Sequence, residues 1–402
     1  MPPAAKTAPL LPAALGPYTD EERSRVECMA EVLREEVERA DGGLPFDRYM
    51  ELALYAPGLG YYVGGARTFG AAGDFVTAPD ISPLFSRCLA VQCAEVLGLI
   101  GGGEILEIGA GAGTMAVDLL LELQRRDALP AAYRILELGA ELRARQRRAF
   151  EQRAPALLPL VSWSDGLPGP GFRGVVLANE VLDAMPVHRF RVGAGAVEEM
   201  VVGTTVAGGF RPRWLPARSP GLSQAVHGLD VPGGGLAHGY ASEVNLRLAP
   251  WLRALGERLA AGAALVIDYG YTAREYYHPE RYTGTLICHF RHRAHGDPLV
   301  LPGLQDITAS VDFSAVAAAG VAVGLELAGY ATQAHFLLGC GLDQLLAASD
   351  PADVEGHLRQ VQGVKLLTLP SEMGERFKVL GLTRGVAAPL CGFRVRDLRA
   401  RL

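Results

Sequence analysis

The stretch "EILEIGAGAGTM", residues 104–115, determines the choice of fold. Its first residues form an apolar run typical of a buried strand, and the residues from Thr114 onward are typical of a helix. Between them, Gly109, Gly111 and Gly113 make a turn in which the backbone can approach a ligand closely. The N-terminus of the following helix offers unpaired N–H groups to the same ligand. A turn of this kind also occurs as a tight connection between a strand and a helix without any ligand. The prediction of a ligand therefore needs further evidence from the sequence.

Strand-like runs recur along the chain after this stretch. The runs "YRILEL", "LPLVSW", "GVVLAN" and "ALVIDYG" alternate with helical segments, which predicts a parallel α/β sheet with helices on both faces. Three hairpin-like runs predict a β-rich insertion at about 187–240. Two late runs, "ATQAHFLL" and "FKVLGLTR", are candidates for the last strands.

Four segments follow from this pattern. We expect a disordered Pro/Ala-rich extension over 1–18 and an N-terminal helical region over 19–103. A core over 104–270 carries the insertion, and a C-terminal region over 271–402 completes the sheet.

Composition limits the class of protein. The 402 residues are 49% hydrophobic and 20% charged with a net charge of −6, as in a globular protein with a large core. The basic cluster at 143–148 is typical of a solvated helix face, so we expect no nucleic-acid partner. No long apolar run predicts a membrane span or a signal peptide, and six widely spaced cysteines favour a reducing cytoplasm.

The glycine spacing separates two cofactor classes. A dinucleotide site uses GxGxxG, whereas Gly113 is followed here by Thr114 and Met115. Glu107, just before the turn, suits the cationic end of S-adenosylmethionine (SAM) better than a pyrophosphate. The sequence therefore predicts SAM as the cofactor.

The next two strands end in residues that are candidates for binding the rest of the cofactor. Glu137 ends the second strand, where an acid accepts the ribose hydroxyls. Trp163 would lie against the adenine ring, and Asp165 would accept from the adenine amino group. A solvated strand-end charge for Glu137 and a core position for Trp163 are the alternatives.

The stretch "LANEVLDAMPVHRF", residues 177–190, follows a buried strand without a spacer. The carboxyl ends of parallel strands open onto the ligand crevice, so Asn179, Glu180 and Asp183 should face the cofactor. Capping of a following helix is the alternative for Asp183.

The stretch "CHFRHRAH" contains metal-ligand chemistry in Cys288, His289, His292 and His295. No acid or cysteine partner recurs at regular spacing, so we expect no metal. His292 is then a pocket or structural residue.

Seven stretches in order resemble the MidA-like family of SAM-dependent methyltransferases, which includes a mitochondrial protein arginine methyltransferase of complex I assembly. They are "GDFVTAPDISPLF", "LEIGAGAGTM", "LANEVLDAMPVHRF", "LVIDYGY", "GTLICHFRHRAHGDPLVLPGLQDITASVDF", "TQAHFLLG" and "MGERFKVL". The resemblance implies a class I, Rossmann-like methyltransferase fold with an inserted and an appended region. It also gives the first of these stretches a role as a lid, in which Asp74, Phe75, Thr77 and Ser82 close over the cofactor and the substrate.

The resemblance further implies that arginine of a protein is the methyl acceptor, with Glu180, Asp183 and Glu243 as catalytic candidates facing it. The sequence departs from the family at the glycine turn, at His289 and at Ser310. The last two lie in the appended region, so methylation of a small molecule or peptide and a non-catalytic assembly role both stay open. A homodimer also stays open.

Overall fold

Strands and helices alternate along the part of the chain described by this computed structural model, residues 9–64, 76–231, 235–348 and 353–402. The strands are β1 (Leu44–Pro45), β2 (Glu104–Ile108), β3 (Tyr133–Leu136), β4 (Val161–Ser164), β5 (Phe172–Asn179), β6 (His188–Val192), β7 (Val197–Thr204), β8 (Phe210–Pro216), β9 (Ala241–Val244), β10 (Leu259–Tyr271), β11 (Ile287–Phe290), β12 (Arg293–His295), β13 (Asp306–Thr308), β14 (Val311–Asp312), β15 (Glu326–Thr332) and β16 (Phe377–Arg384). The helices are α1 (Asp20–Arg39), α2 (Phe46–Tyr55), α3 (Ala78–Ile81), α4 (Pro83–Leu99), α5 (Thr114–Arg125), α6 (Ala140–Arg153), α7 (Leu222–His227), α8 (Leu248–Gly256), α9 (Ala273–Tyr276), α10 (Phe313–Ala322), α11 (Gln333–Gly339), α12 (Leu342–Ala347), α13 (Val354–Thr368) and α14 (Met373–Arg376).

The main sheet has eight strands in the order β15-β16-β10-β5-β2-β3-β4, with β14 paired to the end of β10. The five strands from β4 to β10 are parallel, whereas β16 is antiparallel to both β10 and β15. The chain runs outward from β2 through β3 to β4 and then returns to β5 on the other side of β2. This arrangement confirms the predicted Rossmann-like α/β fold.

Two compact units make up the chain. The unit that carries the main sheet, called here the sheet unit, comprises residues 76–183, 248–272 and 311–402. The second, called the insertion unit, comprises the described residues within 1–75, 184–247 and 273–310. These units combine segments that are distant in sequence, so their limits differ from the four consecutive segments expected from the sequence.

The sheet unit has one core around its parallel strands. Val175, Val176 and Leu177 of β5 are almost completely buried, as the continuous apolar run predicts for a strand covered on both faces. Gly174 in the same strand has a φ of 150°, and a Cβ there would lie 1.8 Å from the carbonyl oxygen of Glu104. Only glycine therefore allows β5 to approach β2 at this position.

The insertion unit is built on antiparallel strands. β6, β7 and β8 come from the hairpin-like runs and join β1 and β9 in a five-stranded sheet, which confirms the predicted β-rich insertion. β11, β12 and β13 form a separate three-stranded sheet. Helix α1 begins with a capping box in which the Thr19 hydroxyl accepts from the Glu22 amide and the Glu22 carboxylate accepts from the Thr19 amide.

The described part of the N-terminal extension, residues 9–18, makes tertiary contacts within the insertion unit. The ring of Tyr18 stacks on Phe290 with 6.1 Å between ring centroids, and Leu10, Leu11 and Leu15 pack against the buried cluster that includes Phe290 and Val300. These apolar contacts hold residues 9–18 against the rest of the insertion unit, in contrast to the loose extension expected for this segment.

The late run "ATQAHFLL" contains a strand end and a helix, not one strand. β15 ends at Thr332, whose hydroxyl accepts a hydrogen bond from the His335 amide and caps α11. A short apolar run fits either state, and the threonine cap decides the outcome here. Among the residues described, no helix combines the length and hydrophobicity needed to cross a membrane.

Candidate active site

The candidate site lies where the order of the parallel strands reverses, at the carboxyl ends of β2 and β5. These strands are neighbours, with Ile108 beside Ala178, so the glycine turn and Asn179 follow adjacent strand ends. In open α/β sheets, this reversal creates the crevice in which ligands bind. The predicted cofactor and acceptor residues therefore start from the same edge of the sheet.

All three glycines of the turn have positive φ, at 68° for Gly109, 51° for Gly111 and 86° for Gly113. A Cβ at Gly113 would lie 3.1 Å from the Cα of Gln146 in α6. The turn therefore needs glycine both for its backbone conformation and for its close packing on α6.

Glu107 is buried in β2, just before the turn. Its carboxylate accepts a hydrogen bond of 2.7 Å from the Tyr133 hydroxyl in the adjacent strand. Burial raises the pKa of Glu107 to about 7, against the lowering effect of the Tyr133 hydrogen bond, and nearby Glu137 raises it further. A cationic ligand group close to this carboxylate would reverse part of that shift.

Glu137, Trp163 and the glycine turn are joined by a residue that we did not predict, Gln146. Its amide nitrogen donates to the Gly111 carbonyl oxygen at 3.0 Å and to the Glu137 carboxylate at 3.1 Å. Its amide oxygen accepts from the Trp163 indole N–H at 2.8 Å. The structure thus brings together three of the predicted cofactor elements around one buried side chain.

Trp163 and Asp165 differ in burial and in their contacts. The indole of Trp163 is half-buried, and the Arg147 guanidinium lies 4.6 Å from its ring centroid. A surface cavity beside it is lined by Trp163, Ala144 and three arginines, Arg143, Arg147 and Arg148. Asp165 is exposed in the loop after β4.

Glu180 follows β5 in a left-handed backbone conformation, with a φ of 52°. This conformation is uncommon outside glycine, and such positions cluster at functional sites. Its carboxylate accepts from the Asn179 side-chain amide at 3.2 Å and from the backbone amide of Ala78. Burial and the nearby Asp183 raise the pKa of Glu180 to about 8.

The turn after Glu180 is held by a second unpredicted residue, Asp268 in β10. This carboxylate is fully buried and accepts from the backbone amides of Leu182, Asp183 and Tyr269 at 2.9 to 3.2 Å. Burial raises the pKa of Asp268 well above its ordinary value, and the charges of Asp183 and Glu180 act in the same direction. Asp268 therefore fixes the backbone that presents Glu180 and Asp183.

The described part of the predicted lid, residues 76–85, contains the short helix α3. Asp80, a third unpredicted residue, accepts from the Thr77 hydroxyl at 3.0 Å and from the Thr114 hydroxyl at 2.9 Å. Ser82 is buried and caps α4 by accepting from the Leu84 amide. The segment therefore contacts the start of α5 through Thr114, and Glu180 through Ala78; Asp74 and Phe75 lie outside the described residues.

The remaining predicted residues belong to the insertion unit. Glu243 is buried in β9, accepts from the Thr285 amide at 2.8 Å and pairs with Arg189 at 3.2 Å. His289 is half-buried in β11, whereas His292 is exposed in the two-residue turn between β11 and β12. Cys288 and His289 point to opposite faces of β11, and the described residues contain no cluster of three metal-ligand side chains.

Sequence signals for the three unpredicted residues differ in strength. Leu142, Gln146 and Phe150 are the buried positions of α6 at a spacing of four, so Gln146 is a polar residue on the apolar face of an otherwise charged helix. That spacing could have identified Gln146. Asp80 and Asp268 lie within quoted stretches, but their partners are distant in sequence.

Comparison with known proteins identifies a family and several similar proteins. A family model described as "Putative S-adenosyl-L-methionine-dependent methyltransferase" matches residues 88–331, more than half of the chain. A crystal structure of a Burkholderia thailandensis protein bound to S-adenosyl-homocysteine is 43% identical with a TM-score of 0.92, and the match covers 96% of this chain and all of that one. "Protein arginine methyltransferase NDUFAF7 homolog, mitochondrial" of Drosophila melanogaster is 29% identical over 88% of this chain and 85% of its own length.

The human relative, also named as a mitochondrial protein arginine methyltransferase, is 28% identical over 86% of this chain and 81% of its own length. These names contradict the cytoplasmic location expected from the cysteine pattern. Six dispersed free cysteines indicate reducing surroundings but do not distinguish one reducing compartment from another.

Proposed function

Because the chain belongs to the MidA-like family of SAM-dependent methyltransferases, we propose that it methylates a nitrogen of an arginine side chain in a protein partner. The observation that carries this proposal is the position of Glu180. Its backbone has a left-handed conformation directly after β5, the strand next to the one that leads into the glycine turn. The names of the fruit fly and human relatives support arginine as the acceptor.

The residues around the glycine turn fit SAM. The turn leaves room for close approach, Glu107 suits the ammonium group, and the Glu137 carboxylate suits the ribose hydroxyls. The buried side-chain oxygen of Asn179 has no hydrogen-bond partner in the described part of the chain and could accept from the same ammonium group. Trp163 and Asp165 would complete the adenine end, and the cofactor when bound supplies an electrophilic methyl group on a sulfonium.

Glu180 would hold the acceptor. Arginine has a pKa above about 12, so its nitrogens are poor nucleophiles until a carboxylate fixes the planar fork. Paired with a guanidinium, the Glu180 carboxylate would turn one nitrogen toward the methyl group, within about 3 to 3.5 Å of it. A guanidinium beside Glu180 would favour the ionised form of this acid, against the effect of burial, and the carboxylate would then accept the proton that the methylated nitrogen releases.

Other predicted residues receive different roles in this proposal. Asp183 adds negative charge beside Glu180, and Thr77 belongs to the lid segment that reaches the site through Ala78 and Asp80. Glu243 supports the insertion unit, since Thr285 and Arg189 engage its carboxylate. We propose no pocket role for His292 because it is exposed, and His289 and Ser310 stay candidates for acceptor selectivity.

The test uses the Glu180→Gln variant with isotopically methyl-labelled SAM and a protein extract from a deletion strain. Wild-type protein should place label on arginine, detected as methylarginine by mass spectrometry. The variant should bind S-adenosyl-homocysteine nearly normally but transfer methyl groups at a rate lower by about 100-fold or more, because it loses the group that orients the acceptor.

Glu257→Gln is the matched control, since Glu257 is exposed in the same unit and should leave transfer unchanged. Normal single-turnover rates in Glu180→Gln would remove Glu180 from the mechanism. Label on a metabolite would indicate a small-molecule enzyme, and label on neither would indicate a binding role. Analytical ultracentrifugation of the purified wild-type chain would test whether it forms a homodimer.

A further inference from the structure

Gln146 occupies a position that the family assignment does not explain. It is fully buried on α6, although its neighbours in the stretch "RARQRR" are charged. Burial of an amide is unfavourable unless its polar atoms are hydrogen-bonded. Here the amide nitrogen and oxygen are both engaged, and each bond leads toward the proposed cofactor site.

The three bonds divide between the two ends of the side-chain amide. The nitrogen donates to Gly111 in the glycine turn and to Oε2 of Glu137, while the oxygen accepts from Trp163. The second Glu137 oxygen accepts from the Gly139 amide at 2.9 Å. Both oxygens of Glu137 therefore have fixed donors, and the Leu138 backbone amide also donates to this carboxylate, which holds it in one orientation.

Replacement by other residue types would break this arrangement. Glutamate lacks the donor for Glu137 and Gly111, lysine lacks the acceptor for Trp163, and a methionine lacks both. Only an amide serves the turn, the acid and the indole at once. We propose that Gln146 is a positioning residue, which orients Glu137 toward the cofactor ribose and Trp163 toward the adenine ring.

This inference rests on the assignment of Glu137 and Trp163 to the cofactor, which is part of the proposed function. It does not depend on arginine as the acceptor or on Glu180. A binding measurement with S-adenosyl-homocysteine therefore tests it separately, because that measurement needs no acceptor and no turnover.

The experiment measures S-adenosyl-homocysteine affinity by calorimetry for the full chain and for Gln146→Met, which keeps the length of the side chain. We expect affinity to fall by about 10- to 100-fold, the range for loss of hydrogen bonds to a charged group. Gln124→Met is the matched control, because Gln124 is an exposed helical glutamine in the same unit, and it should bind as the wild type does.

A double-mutant cycle separates positioning from general stability. If Gln146 acts through Glu137, Gln146→Met should cost much less affinity in a Glu137→Ala background than in the wild type. A purely structural role predicts equal losses in both backgrounds, and that result would overturn the proposal.

Gln146→Glu provides a second variant if Gln146→Met does not fold. It keeps the shape of the side chain and the acceptor for Trp163, but it replaces the donor with a second acidic group beside Glu137. We expect at least a 10-fold loss of S-adenosyl-homocysteine affinity, about the effect of one charged hydrogen bond. Wild-type affinity in either folded variant contradicts the proposal.

Discussion

At the scale of single residues, the site is marked by acidic side chains that are buried close to one another, where negative charge is unfavourable. The charge of Asp183 raises the pKa of Glu180 and, together with that of Glu180, the pKa of Asp268, and Asp80 adds to the effect on Glu180. Such clusters have a cost in stability and recur at sites that bind cations or transfer protons. A guanidinium is a cation of the kind that would reduce the charge repulsion in this cluster.

The raised pKa of Glu180 predicts how stability depends on pH. Below about pH 4.5 the group is protonated in both the folded and the unfolded chain, whereas between 4.5 and 8 only the unfolded chain ionises. Stability should therefore fall as pH rises through this window, by on the order of 5 kcal/mol from this group. Glu180→Gln should remove this loss, so that urea unfolding shows a gain over the wild type at pH 8.5 and little at pH 4.5.

Glu257→Gln is again the control and should follow the wild-type pH profile. Equal gains for Glu180→Gln at both pH values would show that folding does not raise the pKa of Glu180. In the wild type, the acidic limb of kcat/KM should report the same group, since this parameter follows ionisations of the free enzyme.

At the scale of elements, sequence periodicity predicted the strands that carry the site but not the contacts between them. The sequence predicts the runs ending at Ile108 and Asn179 as strands of a parallel sheet. Parallel strands have their carboxyl ends at the same edge of the sheet, so both ends are expected near the cofactor. Asp80 and Asp268 escaped prediction because their partners lie 34 and 85 or 86 positions away in the chain. A hydrogen bond between residues so far apart in the chain leaves no pattern in the local sequence.

Helix α3 is the element on which the lid hypothesis depends. Asp80 joins it to Thr114 at the start of α5, directly after the glycine turn. We expect S-adenosyl-homocysteine to slow amide hydrogen exchange over residues 78–85 because the ligand would stabilise both sides of this contact. Asp80→Ala should weaken that protection by removing the acceptor for Thr77 and Thr114.

Asp343→Ala is the matched control, since Asp343 is also in the first turn of a short helix but is exposed. It should leave the ligand-induced protection at 78–85 intact. Unchanged exchange in the wild type on ligand binding would make this segment a structural connection only.

For the whole molecule, the main sheet depends on a strand far along the chain from the others. β16 lies between β10 and β15 and pairs with both along its length. Thr383, buried in β16, faces Ala263 on one side and Glu326 on the other. Thr383→Pro should prevent cooperative folding, because proline cannot donate to the ladder of a central strand.

Thr383→Val separates this backbone effect from loss of the hydroxyl. The Thr383 hydroxyl donates to the Glu326 carbonyl oxygen at 3.5 Å. Valine keeps the side-chain shape and should lower the unfolding free energy by about 1 kcal/mol, the value of one neutral hydrogen bond. Circular dichroism and urea unfolding of the two variants make the comparison. A Thr383→Pro protein as stable as Thr383→Val would show that the sheet tolerates a break at this position.

The position of β16 also has a consequence for biosynthesis. As the nascent chain leaves the ribosome, the strands that carry the glycine turn and Glu180 emerge first, whereas residues 377–384 follow more than 100 residues after β10 begins. Until they arrive, one edge of β10 lacks its antiparallel neighbour, and unpaired strand edges promote association between chains. The growing protein should therefore need a chaperone to cover this edge until residues 377–384 have been made.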